Sequence, residues 1–375
     1  MSPNDAKVRS DSIAMLALKC NLRLSLIENP PLIENLLLVM LILKRSRIDP
    51  RLYDRLPQMT RLRVIYRFYA GENAKPRPHC YSKRLAFVSF LRAFEALGDA
   101  GRVVFLCDGG LPEEDILHVM RQAGEVVCTG SGSSRNSYLA ALKMPRKCGW
   151  QEDIFWFAED DYLYTPDALM QLIHAANAVP EADYFALHAS IDDVYLRGEC
   201  QTAQPPVWVE PLHRPGGEVR LDGRFWRRID STASTFGMRR EALLQDERLL
   251  RLCPWSGCAW DHTSCLVAQG YEPYPWRHLF ADLIVPSTPR NKRLRRAAVK
   301  IALRVIVNLR SHRRPSQRRM LVSPDPALIA HMELPGFDNA CWHKLAAETI
   351  RWAAEAPCLA GLRGLVLDHA NRPGE

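Results

Sequence analysis

Short apolar runs alternate with segments of helical periodicity along the first half of the chain. The runs that predict strands cover residues 64–69, 103–106, 125–128, 154–157 and 184–187. The segments between them carry apolar residues at helical spacing, and they cover residues 82–97, 113–122, 136–143 and 166–176. This alternation predicts an α/β fold with a mostly parallel sheet and helices on both faces.

The two ends of the chain are less regular than this core. Residues 1–60 have apolar runs without a clean period and predict a helical N-terminal extension. We expect a catalytic domain over residues 61–285, a basic segment over 286–320 and a C-terminal helical segment over 321–375 that completes the site. The longest apolar run, residues 36–43, is far shorter than the ~20 residues that cross a bilayer. We see no secretion signal and expect a cytoplasmic protein with reduced cysteines, at most peripheral at the inner face of the membrane.

Polar residues follow three successive predicted strands. Asp108 follows the second strand, residues 133–136 follow the third, and Glu159-Asp160-Asp161 follows the fourth. In open parallel sheets, ligands bind at the carboxyl ends of the strands. We therefore expect these residues to line one binding site.

The acidic cluster indicates a divalent cation. Three adjacent carboxylates raise one another's pKa unless a positive charge neutralises them. Mg²⁺ and Mn²⁺ prefer oxygen ligands, and Mg²⁺ is usually shared between protein carboxylates and the phosphates of a substrate. The cluster thus predicts a metal and a nucleotide-diphosphate partner, whereas the alternative is a solvated turn before the next helix.

Residues 155–163, which contain this cluster, resemble the D-x-D motif of GT-A glycosyltransferases of the family-2 type. Glu159 stands in place of the first Asp of that motif. The resemblance implies that Asp161 binds Mn²⁺ or Mg²⁺ and that Glu159 and Asp160 contact the nucleotide sugar. Such enzymes have a Rossmann-like α/β fold, which agrees with the strand and helix pattern.

Two features upstream strengthen the resemblance. Arg135-Asn136 follows a Gly/Ser turn and is similar to the R-N step that helps to hold the nucleotide. Asp108 matches the acid that hydrogen-bonds the nucleobase. The resemblance implies a nucleotide-binding role for all three residues.

Two further features lie downstream. Residues 255–262 resemble the x-E-D motif, so Asp261 is implied as the catalytic base, although Trp260 replaces the Glu. His331 resembles the C-terminal histidine that completes the metal shell. From the residues alone, Asp261 could instead cap the helix that follows it.

Together these features predict a metal-dependent transferase that moves a sugar from a nucleotide-diphosphate sugar to a hydroxyl of a carbohydrate or lipid-linked acceptor. A single base suffices for direct displacement with inversion. Aromatic side chains suit the acceptor side, and the candidates are Trp226, Trp255, Trp260 and Tyr162. A metal-dependent nucleotidyl- or phosphotransferase and a non-catalytic carbohydrate-binding relative remain as alternatives.

The positive charge of the chain is local. The net charge is +8, and residues 290–319 hold twelve Lys and Arg and no acid. A polar stripe and an apolar stripe run along this segment at helical spacing: the first holds Arg293, Arg296, Lys300, Arg304 and Asn308, the second Leu294, Ala298, Ile301, Val305 and Leu309. This predicts an amphipathic helix that lies on an anionic membrane surface, or one that packs its apolar stripe on the core and exposes its basic face. No nucleic acid is expected, since aromatic residues are missing from the segment.

Overall fold

A computed structural model describes residues 60–356, apart from residues 73–74, 189–218, 258, 276–278, 280–289, 335–336 and 338–339. The chain divides into two units, Met1–Gln58 and Met59–Glu375, and the second contains all described residues. The predicted N-terminal extension, except for residue 60, therefore lies outside the described residues. Within the described part, no helix is long and apolar enough to span a membrane.

Eleven strands are described. They are β1 (Leu62–Tyr69), β2 (Gly101–Asp108), β3 (Glu125–Thr129), β4 (Ile154–Glu159), β5 (Tyr162–Tyr164), β6 (Tyr184–Phe185), β7 (Val219–Leu221), β8 (Arg224–Arg228), β9 (Phe236–Arg239), β10 (Leu321–Asp325) and β11 (Ile329–His331). Nine form one sheet in the order β3-β2-β1-β4-β9-β6-β10-β8-β7, and β5 pairs with β11. Seven of the nine run in the same direction, while β8 and β9 oppose them. The predicted mostly parallel sheet is confirmed.

Eight longer helices accompany these strands in the described residues. They are α1 (Lys83–Glu95), α2 (Glu114–Ala123), α3 (Ser134–Lys147), α4 (Ala168–Ala178), α5 (Arg240–Ser256), α6 (Trp260–Gln269), α7 (Arg290–Ser311) and α8 (Ala340–Glu355). Two of them begin after a serine whose hydroxyl accepts a backbone N–H of the first turn: Ser82 accepts from Leu85, and Ser133 from Asn136. The second cap fixes the start of α3, where the predicted nucleotide-binding residues lie.

Alternate side chains of β4 enter two different hydrophobic cores. Trp156 packs with Phe90 of α1 on one face of the sheet. Phe155 and Phe157 pack with Tyr138 of α3 on the other. A strand that is buried on both faces reads as a continuous apolar run, so β4 could be recognised from the sequence. Helices on both faces are thus confirmed.

The C-terminal part of the chain completes the main sheet. β10 lies between β6 and β8, parallel to the first and antiparallel to the second. Leu321–Asp325 and Ile329–His331 are therefore strands, and only α8 fits the helical segment expected after residue 321. β11 then turns back to pair with β5, which follows the acidic cluster directly. This pairing carries His331 to the site.

A buried carboxylate ties this C-terminal part to the rest of the domain. Asp246 of α5 is 2% exposed. Its carboxylate accepts from Arg313 Nη2 at 2.7 Å, Arg319 Nε at 2.9 Å and the Tyr184 hydroxyl at 3.0 Å. These contacts join α5 and β6 to the segment that enters β10.

The amphipathic helix is present as α7, but the predicted alternative in which its apolar stripe packs on the core is wrong. Arg304 is 4% exposed, and its guanidinium donates from Nε to the Ser256 carbonyl at 3.0 Å. Ala298, Val305 and Leu309, from the predicted apolar stripe, are exposed. Of the polar stripe, Arg304 and Asn308 face the protein, because they donate hydrogen bonds to the carbonyl groups of Ser256 and Tyr274.

Candidate active site

The acidic cluster forms the turn between β4 and β5, and each of its carboxylates contacts its own basic side chain. The ion pairs are Glu159–Arg67 at 3.0 Å, Asp160–Lys83 at 3.0 Å and Asp161–Arg77 at 3.1 Å. Asp160 and Asp161 are each 7% exposed, so the alternative of a solvated turn is wrong. The protein itself therefore supplies positive charge that was expected to come from a metal alone.

Asp160 holds the end of β1 in place. Its Oδ2 accepts the backbone N–H of Tyr69 at 2.9 Å and contacts Lys83 Nζ at 3.0 Å. The same ammonium group donates to the carbonyls of Tyr69 and Gly71. Burial raises the pKa of Asp160, and the charge of Lys83 opposes that shift. These contacts indicate a positioning role at the floor of the site.

Asp161 and His331 meet, as the resemblance implied. His331 Nε2 lies 3.0 Å from Asp161 Oδ2, and the backbone N–H of Met332 donates to the Asp161 carbonyl at 2.9 Å. Burial alone would raise the pKa of Asp161. The hydrogen bond from His331 and the charges of His331 and Arg77 outweigh burial and hold the pKa below its usual value. The carboxylate is thus kept ionised.

The His331 ring is fixed from two more directions. Its Nδ1 lies 3.3 Å from Glu333 Oε2, and Lys75 Nζ holds the same oxygen at 2.8 Å. The Tyr162 ring stacks on the imidazole with centroids 4.8 Å apart and an interplanar angle of 12°. The ring plane and the direction of Nε2 are therefore set before any ligand binds.

These residues fit a divalent cation that a substrate helps to hold. The described residues contain no group of three His, Cys, Asp or Glu side chains that could bind a metal by themselves. Asp161 and His331 offer one ionised carboxylate and one imidazole, and a cation with so few protein ligands relies on phosphate oxygens for the rest. Arg77 shares the Asp161 oxygen, so it is a neighbour of any ion bound there.

A cleft of about 180 Å³ runs along the carboxyl ends of β1, β2 and β4. It is lined by Arg67, Phe68, Tyr69, Asp108, Gly132, Ser133, Ser134, Ser137, Glu159, Asp160 and Asp161. The start of α3 points its first N–H groups towards this region, and helix N-termini favour anions. The structure thus brings Asp108 and all three acids of the cluster to one cleft.

Asp108 also organises the loop in front of α3. One carboxylate oxygen accepts the backbone N–H groups of Gly109 at 3.0 Å, Ser131 at 3.0 Å and Gly132 at 3.2 Å. The other accepts the Ser131 hydroxyl at 2.5 Å. The side chain is 2% exposed, so the loop takes up much of its hydrogen-bonding capacity. Its contact with a nucleobase stays a prediction.

Arg135 and Asn136 lie in the first turn of α3 and play different local roles. The Asn136 side chain donates to the Ser131 carbonyl at 3.1 Å, which closes the loop onto the helix. Arg135 lies over the Trp255 ring at 4.9 Å from its centroid, and its buried Nε has no hydrogen-bond partner within the described part of the chain. Arg135 is therefore the more available of the two for a ligand.

Asp261 lies in the first turn of α6, but the residue at the N-cap position is Ala259. Asp261 Oδ1 accepts the backbone N–H of His262 at 2.9 Å, and the Ser234 hydroxyl lies 3.5 Å from Oδ2. Burial raises the pKa of Glu159, and the negative charge of Asp261 adds to that effect. Asp261 is therefore near the acidic cluster, although it does not line the cleft itself.

The aromatic candidates for the acceptor side differ in exposure. Trp226 and Tyr162 are each 1% exposed and belong to the core. Trp255, at the end of α5, is 49% exposed and can contact a ligand. Trp260 packs against Tyr138 with ring centroids 6.1 Å apart.

Four charged residues of the site were missed in the sequence. They are Arg67 in the first predicted strand, Lys75 and Arg77 in the loop after it, and Lys83 in the first predicted helix. Arg67 could have been found, because a lone arginine in an otherwise buried strand needs an anion beside it. In the parallel register of β1 and β4, Arg67 is paired with Glu159. The partners of the other three depend on loops whose course cannot be derived from local pattern.

No protein family and no curated protein matches this chain. Among solved structures, S. aureus TarS matches with a TM-score of 0.35 and 13% identity, over 83% of this chain and 43% of that chain. Residues 1–349 of TarS in complex with UDP-GlcNAc match with a TM-score of 0.34 and 12% identity, over 83% and 72%. Glucosyl-3-phosphoglycerate synthase from Mycobacterium tuberculosis, in complex with Mn²⁺, UDP and phosphoglyceric acid, matches with a TM-score of 0.28 and 12% identity, over 49% and 57%. With identities and TM-scores this low, function has to be inferred from the side chains of this chain.

Proposed function

We propose that this protein is a metal-dependent glycosyltransferase that moves a sugar from a nucleotide-diphosphate sugar to an acceptor hydroxyl. The observation that carries the proposal is the contact between His331 and Asp161, which lines the cleft; the two residues are 170 positions apart in sequence and 3.0 Å apart in space. A core that needed only stability would not place an ionised carboxylate and an oriented imidazole at the ligand-binding edge of an α/β sheet.

The donor side of the site is built for a diphosphate. Asp161 and His331 would hold Mn²⁺ or Mg²⁺, which when bound acts as a Lewis acid on the departing diphosphate. The N-terminus of α3 and the guanidinium of Arg135 add positive potential on the side of the Gly/Ser loop. Asp108 positions that loop, and Asp160 positions the end of β1. These two residues and Glu159 would contact the nucleotide sugar directly.

The acceptor side is proposed at Asp261. Among the described residues its Oδ2 has one weak contact, the Ser234 hydroxyl at 3.5 Å, and so it can accept a proton from an attacking hydroxyl. One base is enough for direct displacement, which inverts the anomeric centre. The exposed ring of Trp255 offers an apolar face for a carbohydrate acceptor or for the sugar of a lipid-linked one.

The test is a screen of nucleotide-diphosphate sugars by isothermal titration calorimetry with and without Mn²⁺, followed by product analysis. We expect Mn²⁺-dependent donor binding and release of a nucleoside diphosphate. Asp161→Asn should abolish the metal-dependent part of the affinity, because a hard cation needs the anionic oxygen. The matched control is Asp167→Asn, whose carboxylate is 43% exposed and pairs with Arg224 on the surface.

Three results would contradict the proposed function or its metal site. Release of a sugar 1-phosphate would indicate transfer of the nucleotidyl group, and binding without any turnover would indicate a carbohydrate-binding relative. Unchanged metal-dependent affinity in a folded Asp161→Asn protein would remove the metal site. His331→Asn provides a second variant, so that a folding defect in one of them does not leave the question undecided.

A further inference from the structure

The outward face of α7 is apolar. Nine large apolar side chains are exposed in the described residues, and four of them lie on this helix: Val299 at 55%, Val305 at 40%, Ile306 at 42% and Leu309 at 66%. Ala298 and Ala302 are exposed between them. At 3.6 residues per turn, these six positions occupy one sector of about 120°. A contiguous apolar face of this kind marks an interaction surface.

The helix cannot turn this face inward, because its opposite side is fixed by hydrogen bonds. The buried Arg304 guanidinium donates to the carbonyls of Ser256 at 3.0 Å and Leu279 at 3.3 Å. The Asn308 side chain donates to the Tyr274 carbonyl at 2.7 Å and accepts the Tyr274 N–H at 3.2 Å. Rotation about the helix axis would leave the buried Arg304 guanidinium without these acceptors, and burying an unpaired charge is energetically unfavourable.

The exposed charged side chains described on α7 are basic. Arg296 and Arg310 are exposed on α7, and residues 290–319 contain no acid. Arg304, Arg313 and Arg319 are bound to groups of the protein itself and do not contribute to the outer surface. An apolar face with basic residues beside it complements a membrane surface, where anionic headgroups lie above the apolar acyl chains. No described helix could span a membrane, so such a helix would lie in the interface plane.

We propose that α7 docks this protein on an anionic membrane surface, with the apolar sector in the interface and Arg296 and Arg310 on lipid phosphates. The binding face is thus the apolar sector. Arg304 and Asn308 lie on the opposite side of the helix and face the protein. Binding energy comes from the buried apolar side chains and is increased by attraction to anionic headgroups. The proposal does not depend on the catalytic assignment, because none of these residues belongs to the proposed active site.

The test is cosedimentation of the full chain with vesicles of phosphatidylcholine, alone or mixed with phosphatidylglycerol. Ile306→Gln combined with Leu309→Gln should lower the partition coefficient for the mixed vesicles by at least about tenfold, since two apolar side chains leave the interface. The matched control is Leu111→Gln combined with Leu334→Gln, because these leucines are 52% and 39% exposed elsewhere on the surface. It should bind as the parent does.

The electrostatic part has its own variant. Arg296→Gln combined with Arg310→Gln should weaken binding to the mixed vesicles at low salt, and the difference should shrink at high salt. Equal sedimentation of the parent and the Ile306/Leu309 variant would overturn the proposal. So would a parent that is dimeric by light scattering, fails to sediment with vesicles and becomes monomeric in that variant, because a second copy would then cover the face. Circular dichroism confirms that each variant is folded.

Discussion

Asp246 makes the sharpest stability test, because it is a buried charge with three partners from distant parts of the chain. We consider Asp246→Asn, which preserves the shape of the side chain and removes its charge. The amide of the asparagine has one acceptor oxygen, and its NH₂ group would face a guanidinium donor. Arg313 Nη2 at 2.7 Å and Arg319 Nε at 2.9 Å cannot both keep their present acceptors.

The magnitude follows from what each partner retains. Removing one member of a buried ion pair typically costs about 3–5 kcal/mol. Arg319 keeps part of its pairing, since it also contacts Asp183 at 3.4 Å and the Gln245 side chain at 2.7 Å. Arg313 keeps only its bond to the Gln317 carbonyl at 3.3 Å. We therefore expect a loss at the lower end of that range, about 3 kcal/mol.

The assay is equilibrium unfolding in urea, monitored by tryptophan fluorescence. Asp167→Asn serves as the control, because an exposed pair contributes only about 0–1 kcal/mol. A loss for Asp246→Asn that does not exceed the loss for Asp167→Asn would refute the reasoning. It would mean that water replaces the carboxylate at this position and that the C-terminal segment is held by its apolar contacts alone.

Three further predictions concern the site. Asp261→Asn should bind the donor sugar nearly as well as the parent, while kcat falls by about two to four orders of magnitude, because a base acts in the transition state. Glu333→Gln should weaken Mn²⁺ binding, measured by electron paramagnetic resonance, by about 10- to 100-fold, because Glu333 Oε2 orients the His331 ring. Burial lowers the pKa of His262 from its ordinary value of 6.5, so the unfolded chain binds more protons than the folded protein and stability falls as the pH drops below 6.5. The unfolding midpoint of His262→Gln should depend less on pH in that window.

Each of these predictions can fail separately. Retained kcat in a folded Asp261→Asn protein would exclude the base assignment. Glu348→Gln is the control for Glu333→Gln, since Glu348 pairs only with Lys344 at 3.9 Å on the exposed face of α8. Equal Mn²⁺ affinity in both variants would contradict the orienting role. A parallel pH dependence for parent and His262→Gln would show that other groups dominate acid destabilisation.

The first half of the fold could be predicted because its signals are local. β4 appears as an apolar run bounded by polar residues, and both of its faces are buried against helices whose periodicity is also visible. β10 could not be predicted, because Leu321–Asp325 is short, contains a proline and finds its partners β6 and β8 far away in sequence. The orientation of α7 could not be predicted for a related reason. Helical spacing identifies an apolar and a polar face, but it does not determine which of them contacts the carbonyl groups of another segment.

The site shows the same division between local and distant information. The acids after β4 and the residues at the start of α3 were found because they follow strands directly. Their neutralisation by Arg67, Arg77 and Lys83 was missed, since Arg77 comes from the loop between β1 and α1 and Lys83 is the first residue of α1. The charge neutralisation that was expected of a metal is therefore largely provided by basic side chains of the protein itself. The pairing of Asp161 with His331 was expected only from the resemblance, and no spacing argument could have supplied it.

The place of β10 in the sheet has a consequence for synthesis. Among the described strands, β8 pairs only with β7 and β10, so the β7–β8 hairpin reaches the sheet through β10 alone. The hairpin leaves the ribosome long before Leu321 does. Until then the edges of β6 and β8 expose unpaired backbone groups, which invite pairing with other nascent chains. A message truncated before codon 321 should thus yield a polypeptide that chaperones retain and proteases remove, and its carboxylates would never meet the histidine.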